Sequence, residues 1–308
     1  MRKEIFKYKA PMLSLDEHHG MLYLTANSVR ALQFPSLEPA TMVKGYPDSL
    51  ATVSPNGNFV SLMAEGGHLA VYRTENLEEK IFQKKWKNMP VCGDAVFWGE
   101  DEQLLIPIQD KVYALDLANP SNLTIIFGDG EEEFGQEAFT RKGRVSGISV
   151  CGHDILIVHQ LPGDRIRYKS TLLHGLYDRK PLHAEHPLLY DTALFDNRGG
   201  ICLFCRTGLK PMRYYAAFTG DLEHADAEVV LPGYMFPHFS RNGKYLSIYD
   251  IACAPGKVNG AWLIDTSTWK VVDEVMAQKY MIWSTGFSNK DTYWLVSSDR
   301  PWVISVPE

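Results

Sequence analysis

The chain has 308 residues, of which 45% are hydrophobic and 22% are charged, a composition typical of a soluble globular protein. Its net charge of −6 argues against a general nucleic-acid binder, because such proteins usually carry a basic stripe. No apolar run approaches the length of about 18 residues that a membrane span needs. The N-terminus lacks the apolar core of a signal peptide, and the 5 cysteines are scattered and odd in number. We therefore expect reduced thiols and a cytoplasmic location.

A strand module recurs along the whole chain, because a turn-forming residue is followed by a short apolar strand at seven places. The starts of these segments lie 37 to 52 residues apart. In chain order, the segments are 20–24, 57–62, 102–106, 154–158, 200–204, 243–248 and 291–296. A period of this length with strands between the turns predicts an all-β chain. We expect a seven-bladed β-propeller of four-stranded antiparallel blades, with residues 1–308 as a single domain.

The sixth unit shows the expected plan of a blade most clearly. Apolar strands are predicted at 236–239, 244–249, 260–265 and 270–275, with turn residues between them. The fourth unit has the weakest pattern, and its third strand is predicted at 165–169.

The seventh unit is shorter than the others, because the chain stops soon after its third strand at 302–305. The alternating N-terminal segment 3–8 is a strand without a unit of its own. We expect this segment to pair with the last strand and close the ring, which would remove two exposed sheet edges.

Two turns carry a recognisable repeat. Val53-Ser-Pro-Asn-Gly57-Asn-Phe-Val60 and Phe239-Ser-Arg-Asn-Gly243-Lys-Tyr-Leu246 resemble the FSPDGKYL repeat of WD40-like, TolB-type and YVTN-type propellers. Leu263-Ile-Asp-Thr-Ser-Thr-Trp-Lys-Val-Val272 resembles the outer hairpin of YVTN-type repeats. The resemblance implies the propeller fold and no particular activity, since one fold hosts many functions.

Propellers place their sites at the end that carries the loops between second and third strands and the connections between blades. The sequence puts basic and aromatic residues there, and these types anchor protein interfaces. The candidate partner-binding residues are Arg165, Arg206, Lys257, Arg300, Tyr234 and Trp283. We therefore expect a non-enzymatic interaction scaffold that binds another protein, uses no cofactor, and binds neither nucleic acid nor membrane.

Two other classes of function remain open. The first is a lactonase or hydrolase type of enzyme that acts near His238, Arg206 and Asp299, although no nucleophile motif is present. The segment Met235-Phe-Pro-His-Phe239 resembles the Pro-Arg-His-x-x-Phe segment of lactonase propellers, but it lacks the arginine. The second is a small-ligand or glycan binder that stacks its ligand on Trp283, Tyr234 and Tyr280.

Metal-binding patterns are weak. Cys202 and Cys205 have CxxC spacing, but strand alternation directs them to opposite faces, so we expect buried thiols. The adjacent His18 and His19 occupy a turn and would point apart in extended chain. His159 is interpreted as a core or channel histidine. The acidic segment 128–143 is either a surface loop or a lid or partner-binding loop.

Overall fold

In the residues that it describes, a computed structural model of the chain contains 28 β-strands. The structure describes residues 3–5, 12–44, 46, 49–64, 67–86, 95–128, 142–161, 168–176, 178–181, 192–195, 200–205, 213–217, 227–231, 235–250, 259–277 and 281–307. Among these residues, no helix is long and apolar enough to cross a membrane. The chain divides into two compact units, the first formed by Met1–Ala64, Val71–Lys80 and Pro232–Glu308, and the second by Glu65–Ala70 and Ile81–Leu231.

In the first unit, the sheets follow the repeat that the sequence predicts. The first strand, β1, spans Lys3–Ile5 and does not belong to blade 1. Blade 1 contains β2 (Met12–Asp16), β3 (Met21–Thr25), β4 (Val29–Gln33) and β5 (Pro39–Val43). Blade 2 contains β6 (Leu50–Val53), β7 (Phe59–Ala64), β8 (His68–Arg73) and β9 (Asn76–Lys85), of which the last two continue into the second unit.

Three further blades belong to the second unit. Blade 3 contains β10 (Val96–Trp98), β11 (Gln103–Ile108), β12 (Lys111–Asp116) and β13 (Leu123–Phe127). Blade 4 contains β14 (Arg144–Cys151), β15 (Asp154–Gln160), β16 (Tyr168–His174) and β17 (Asp178–Pro181). Blade 5 contains β18 (Thr192–Phe195), β19 (Ile201–Cys205), β20 (Arg213–Ala217) and β21 (Ala227–Val230).

The last two sheets return to the first unit. Blade 6 contains β22 (Met235–Phe239), β23 (Tyr245–Asp250), β24 (Gly260–Asp265) and β25 (Lys270–Met276). The remaining sheet, called blade 7 below, contains β26 (Ile282–Phe287), β27 (Tyr293–Ser298) and β28 (Trp302–Ser305), with β1 as its fourth strand. β1 is antiparallel to β28, and Lys3 lies opposite Ile304.

The predicted number of blades is corrected in one respect. In the described part of the chain, six of the four-stranded sheets, and not seven, are complete blades made from four consecutive strands. The other four-stranded sheet is composite, because it contains three consecutive strands and β1 supplies its fourth. In blade 4, the third strand was predicted at 165–169, of which 165–167 lie outside the described residues. The described strand spans Tyr168–His174, so it extends past the predicted end, and it pairs with all of β15.

Several blades bury an apolar row of their strands against a neighbouring sheet of the same unit. In the first unit, Leu263 and Val275 of blade 6 pack with Trp294 and Val296 of blade 7. In the second unit, Leu105 and Val112 of blade 3 pack with Ile155 and Ile157 of blade 4, a contact called the 3–4 seam below. Burial of about 1.5–3 kcal/mol per large apolar side chain makes these rows the main stabilising contacts.

One backbone hydrogen bond recurs in every blade whose turns are described. The N–H of the residue after the third strand donates to the carbonyl of the residue before the second strand. The pairs are Phe34–Gly20, Thr74–Asn58, Leu117–Glu102, Gly175–His153, Thr266–Lys244 and Val306–Thr292, with N···O distances of 2.7 to 3.1 Å. This bond ties the two turns at the same end of each blade together.

Candidate functional site

The predicted partner-binding residues are only partly within the described chain. Trp283 and Arg300 are described, and both belong to blade 7. The other predicted residues lie outside the described residues: Arg165, Arg206, Lys257 and Tyr234. The described part of the candidate site therefore lies on blade 7.

Trp283 occupies a β-bulge at the start of β26, the first strand of blade 7. Ile282 lies opposite Ser298, and the next pair is Ser284 with Ser297, so Trp283 is an extra residue without a partner in the register. A bulge bends the strand and changes the direction of the side chain at that position. Ile282 is fully buried, whereas Trp283 is 37% exposed. The bulge thus places a large aromatic side chain at the surface beside a buried strand residue.

Arg300 lies in the turn between β27 and β28, at the same end of blade 7 as Trp283. Ser298 is completely buried, and its hydroxyl accepts a hydrogen bond from the Arg300 N–H at 2.9 Å and donates one to the Arg300 carbonyl. These two bonds fix the backbone of the turn, while the Arg300 residue as a whole is exposed. Because Ile282 is opposite Ser298, the turn that carries Arg300 adjoins the bulge that carries Trp283.

His238, the centre of the hydrolase alternative, lies in β22 of blade 6, where it is half-buried and opposite Ser247. A second irregularity in register lies between Met235 and His238, so this first strand also bulges near its start. Asp299 is half-buried in the turn of blade 7, and Arg206 lies outside the described residues. No described hydrogen bond or ion pair joins His238 to Asp299 in these parts of the chain.

A cluster of buried polar residues lies at one end of the 3–4 seam. Gln109 and Asp110 form the turn between β11 and β12, and Lys111 is the first residue of β12. Their exposed fractions are 6%, 8% and 1%. The Lys111 ammonium lies 3.9 Å from an Asp110 carboxylate oxygen. The Gln109 carbonyl accepts a hydrogen bond from the Val145 N–H of β14, which links blade 3 to blade 4.

His159 of β15 lies beside this cluster of polar residues. Its ring lies 5.8 Å from the Phe127 ring in an edge-on arrangement. Burial lowers the pKa of His159 below its ordinary value, the Asp110 carboxylate opposes that shift, and the Lys169 ammonium adds to it. The prediction that His159 is a core histidine fits its half-buried position, but the sequence did not indicate the charged neighbours.

In the first unit, a network of hydrogen bonds joins the turns at the end of blade 7 that is opposite to Trp283 and Arg300. Asp16 of blade 1 is fully buried and accepts hydrogen bonds from the His18 N–H at 2.9 Å, from His19 Nδ1 at 2.7 Å and from Asn289 Nδ2 at 3.1 Å. The neighbouring Glu17 carboxylate accepts the Ser288 hydroxyl and the Lys290 N–H. Blades 1 and 7 are thus joined through side chains as well as through strands.

The turns that resemble the FSPDGKYL repeat use their serine in the same way. The hydroxyl groups of Ser54, Ser240 and Ser288 accept the N–H of the residue five positions later, at 2.9 to 3.0 Å. Between blades 6 and 7, the Asn242 N–H donates to the Asp291 carboxylate at 2.9 Å. These side chains provide hydrogen-bond acceptors for backbone N–H groups. This structural role is sufficient to explain the FSPDGKYL-like turns.

Comparison with known proteins agrees with this architecture. No protein-family model matches the chain, and no curated protein matches its sequence. Among solved structures, the chain is similar to the β-propeller domain of Cps50 (Swd1) from Myceliophteria thermophila, with a TM-score of 0.68 and 10% identity, over 99% of this chain and 100% of that chain. It is also similar to a chain in the crystal structure of a mitotic checkpoint complex, with a TM-score of 0.69 and 12% identity, over 100% of this chain and 94% of that chain.

The fold is a WD40-like β-propeller. At these identities the similarity establishes the fold alone. The turn motifs from which the sequence predicted the fold are therefore structural features of the propeller, namely the serine hydrogen bonds described above.

Within the described residues of the propeller, no group of three or more His, Cys, Asp or Glu side chains could hold a metal ion. His19 contacts Asp16 inside its turn, where its Nδ1 lies 2.7 Å from a carboxylate oxygen. Cys202 and Cys205 both lie in β19, as predicted. The acidic segment 128–143 lies outside the described residues except for Gly128, Lys142 and Gly143.

Sequence reasoning missed the bulges that shape the candidate site. Pro237 was an available signal in blade 6, because proline inside a strand often marks a bulge. Gly147 was a similar signal at Ser146, where β14 also loses register, whereas neither residue next to Trp283 is a glycine or a proline.

Proposed function

We propose that this WD40-like propeller is an interaction scaffold that binds a partner protein through the surface of blade 7 formed by Trp283 and Arg300. The main support is the exposure of Trp283 on a bulged first strand, between residues that are buried or half-buried. Tryptophan and arginine are the residue types most enriched among side chains that dominate the energy of protein interfaces.

The rigidity of the surface also supports this proposal. Trp283 follows the buried Ile282, and Arg300 belongs to a turn held by two hydrogen bonds to Ser298. A surface that is already ordered loses little conformational entropy on binding, so more of the contact energy contributes to affinity. The similar chain in the mitotic checkpoint complex is part of a multi-component assembly by its description, which is consistent with a partner protein here.

A double variant tests this proposal. Trp283→Ala combined with Arg300→Ala should abolish the capture of a specific partner by the purified propeller, with a loss of at least tenfold in affinity once that partner is purified. Lys290→Ala is the matched control, because Lys290 is exposed in a turn at the other end of the same blade. Circular dichroism and melting temperature should show that all variants are folded. Equal capture by the double variant and the control would refute the proposed surface.

The cytoplasmic location, the single domain, and the absence of membrane and nucleic-acid binding stay predictions. Fractionation of cells that express the tagged protein would test the first of them. Binding of the purified protein to anionic vesicles and to DNA, measured at two salt concentrations, would test the last two.

A further inference from the structure

His159 continues an apolar row on the face of β15 that packs against blade 3. Because side chains alternate along a strand, Ile155, Ile157 and His159 share one face. Ile155 and Ile157 are fully buried in the 3–4 seam, together with Val112 and Ile126 of blade 3. An ionisable side chain therefore occupies a position in the seam where its neighbours on the same face are aliphatic.

The imidazole of His159 lacks an acceptor for a second proton. In the described structure, Nε2 is inaccessible to solvent and has no hydrogen-bond partner. The ring lies edge-on to Phe127, the last residue of β13. A neutral ring fits these surroundings, whereas protonation of the second nitrogen would bury a donor and a positive charge without an acceptor in place.

Charged groups face His159 from each element that packs around it. Asp110 lies in the turn between β11 and β12, Lys111 begins β12, and their side chains are an ion pair at 3.9 Å. Lys169 of β16 lies directly opposite His159 in the strand register. On the other side, Val145 of β14 lies opposite His159, and the neighbouring Arg144 donates through Nε to the Gln160 side chain at 3.1 Å. The single carboxylate in this set already has a lysine beside it.

We propose that His159 makes the 3–4 seam a pH-sensitive joint, closed when the imidazole is neutral and weakened when it is protonated. The joint contains an inter-blade hydrogen bond that would respond directly. Val145, opposite His159, donates its N–H to the carbonyl of Gln109, the residue before Asp110. Movement of a charged ring away from Phe127 would displace β14 and the Gln109–Lys111 turn together.

The direction of the pH effect follows from the lowered pKa of His159. The unfolded chain binds a proton at about pH 6.5, and the folded chain binds it only at lower pH. The contribution of the joint to stability is therefore present above that pH, and it is lost as the pH falls through the pKa of the folded state. This inference does not depend on the proposed partner surface, because no residue of blade 7 takes part in it.

The test compares the wild type with His159→Phe, which keeps an aromatic ring against Phe127 and cannot ionise. As the pH falls from 7.5 to 5.5, the wild type should lose up to about 2 °C of melting temperature relative to this variant. Amide exchange in peptides from β14 and β15 should accelerate over the same range in the wild type alone. The control is His153→Gln, because His153 is an exposed histidine in the turn of the same blade. That variant should follow the wild-type profile.

A direct measurement covers the case in which His159→Phe does not fold. Titration of the imidazole signals of the wild type by NMR, with the His159 signal assigned, should give a midpoint below 6.5, together with shift changes at Val145 and Gln109. A midpoint at or above about 6.5 would overturn the proposal. Equal pH dependence of melting for the wild type and His159→Phe would overturn it as well.

Discussion

Replacement of Asp16 by alanine should destabilise the propeller more than its position in a turn suggests. Asp16 is fully buried, and its carboxylate accepts three hydrogen bonds, one of them from Asn289 of blade 7. Alanine would leave the His18 N–H and the Asn289 amide without this acceptor. At about 1–3 kcal/mol for each unsatisfied group, offset by the gain from no longer burying a carboxylate, we expect a loss of about 3 kcal/mol.

The assay is thermal unfolding followed by circular dichroism. For 308 residues and about 2.1 cal/mol/K of unfolding entropy per residue, a loss of about 3 kcal/mol lowers the melting temperature by about 5 °C. Asp16→Asn keeps one acceptor oxygen in place, so its loss should be about 1 kcal/mol.

Asp265→Ala is the matched control for this experiment. Asp265 also ends a strand and caps a turn, where it accepts the Ser267 and Thr268 N–H groups, but these bonds are exposed and lie within one blade. Water can replace them, so the expected loss is below about 1 kcal/mol. Equal losses for Asp16→Ala and Asp265→Ala would refute the idea that the contact between blades 1 and 7 matters.

Three other predictions concern turns and edges. Gly57→Ala should lower the melting temperature more than Gly152→Ala: both glycines have positive φ, but a Cβ at Gly57 would lie 2.7 Å from Asp16 Oδ1, whereas at Gly152 nothing lies within 4 Å. Equal losses would argue against a close approach of the two turns. Burial raises the pKa of Asp291, so Asp291→Asn, which keeps an acceptor for the Asn242 N–H, should melt at or above the wild type at pH 7. That advantage should disappear towards pH 4, where a carboxyl with a raised pKa regains its proton in the folded state. An advantage that persists at pH 4 would exclude ionisation as its cause. Deletion of residues 1–9 removes the fourth strand of blade 7 and should strongly destabilise the protein, so a truncated protein that melts within about 2 °C of the full chain would contradict the role of β1.

The sequence was informative wherever a feature is local. The alternation of apolar residues and the Ser-x-Asn-Gly turns predicted strands such as Gly260–Asp265 with the bounds that the structure shows. The pairing of the N-terminus with β28 followed from counting strands, because one unit lacked an edge and one strand lacked a unit. In blade 4 the turn signals were weak, and the third strand, predicted to end at 169, continues to His174.

Contacts between blades were not predictable from one sequence. Asp16 and Asn289 are 273 positions apart, and nothing in either neighbourhood indicates the other. The same is true of His159 and Asp110, whose proximity depends on how blades 3 and 4 pack. The candidate site was the hardest part to predict, because the bulge that exposes Trp283 depends on strand register and not on residue type.

The two ends of blade 7 are used differently, and this difference favours one of them as the binding surface. At the end formed by the turn between β26 and β27, Ser288, Asn289 and Asp291 are already engaged by blade 1, by blade 6 or by their own turn. A partner that bound there would have to compete with these intramolecular hydrogen bonds. At the other end, Ser298 holds the backbone of its turn, and the side chains of Trp283 and Arg300 reach the surface. A partner that contacts Trp283 leaves the turn-to-turn hydrogen bonds at the other end in place, so sequence change there can alter binding while leaving the sheets intact.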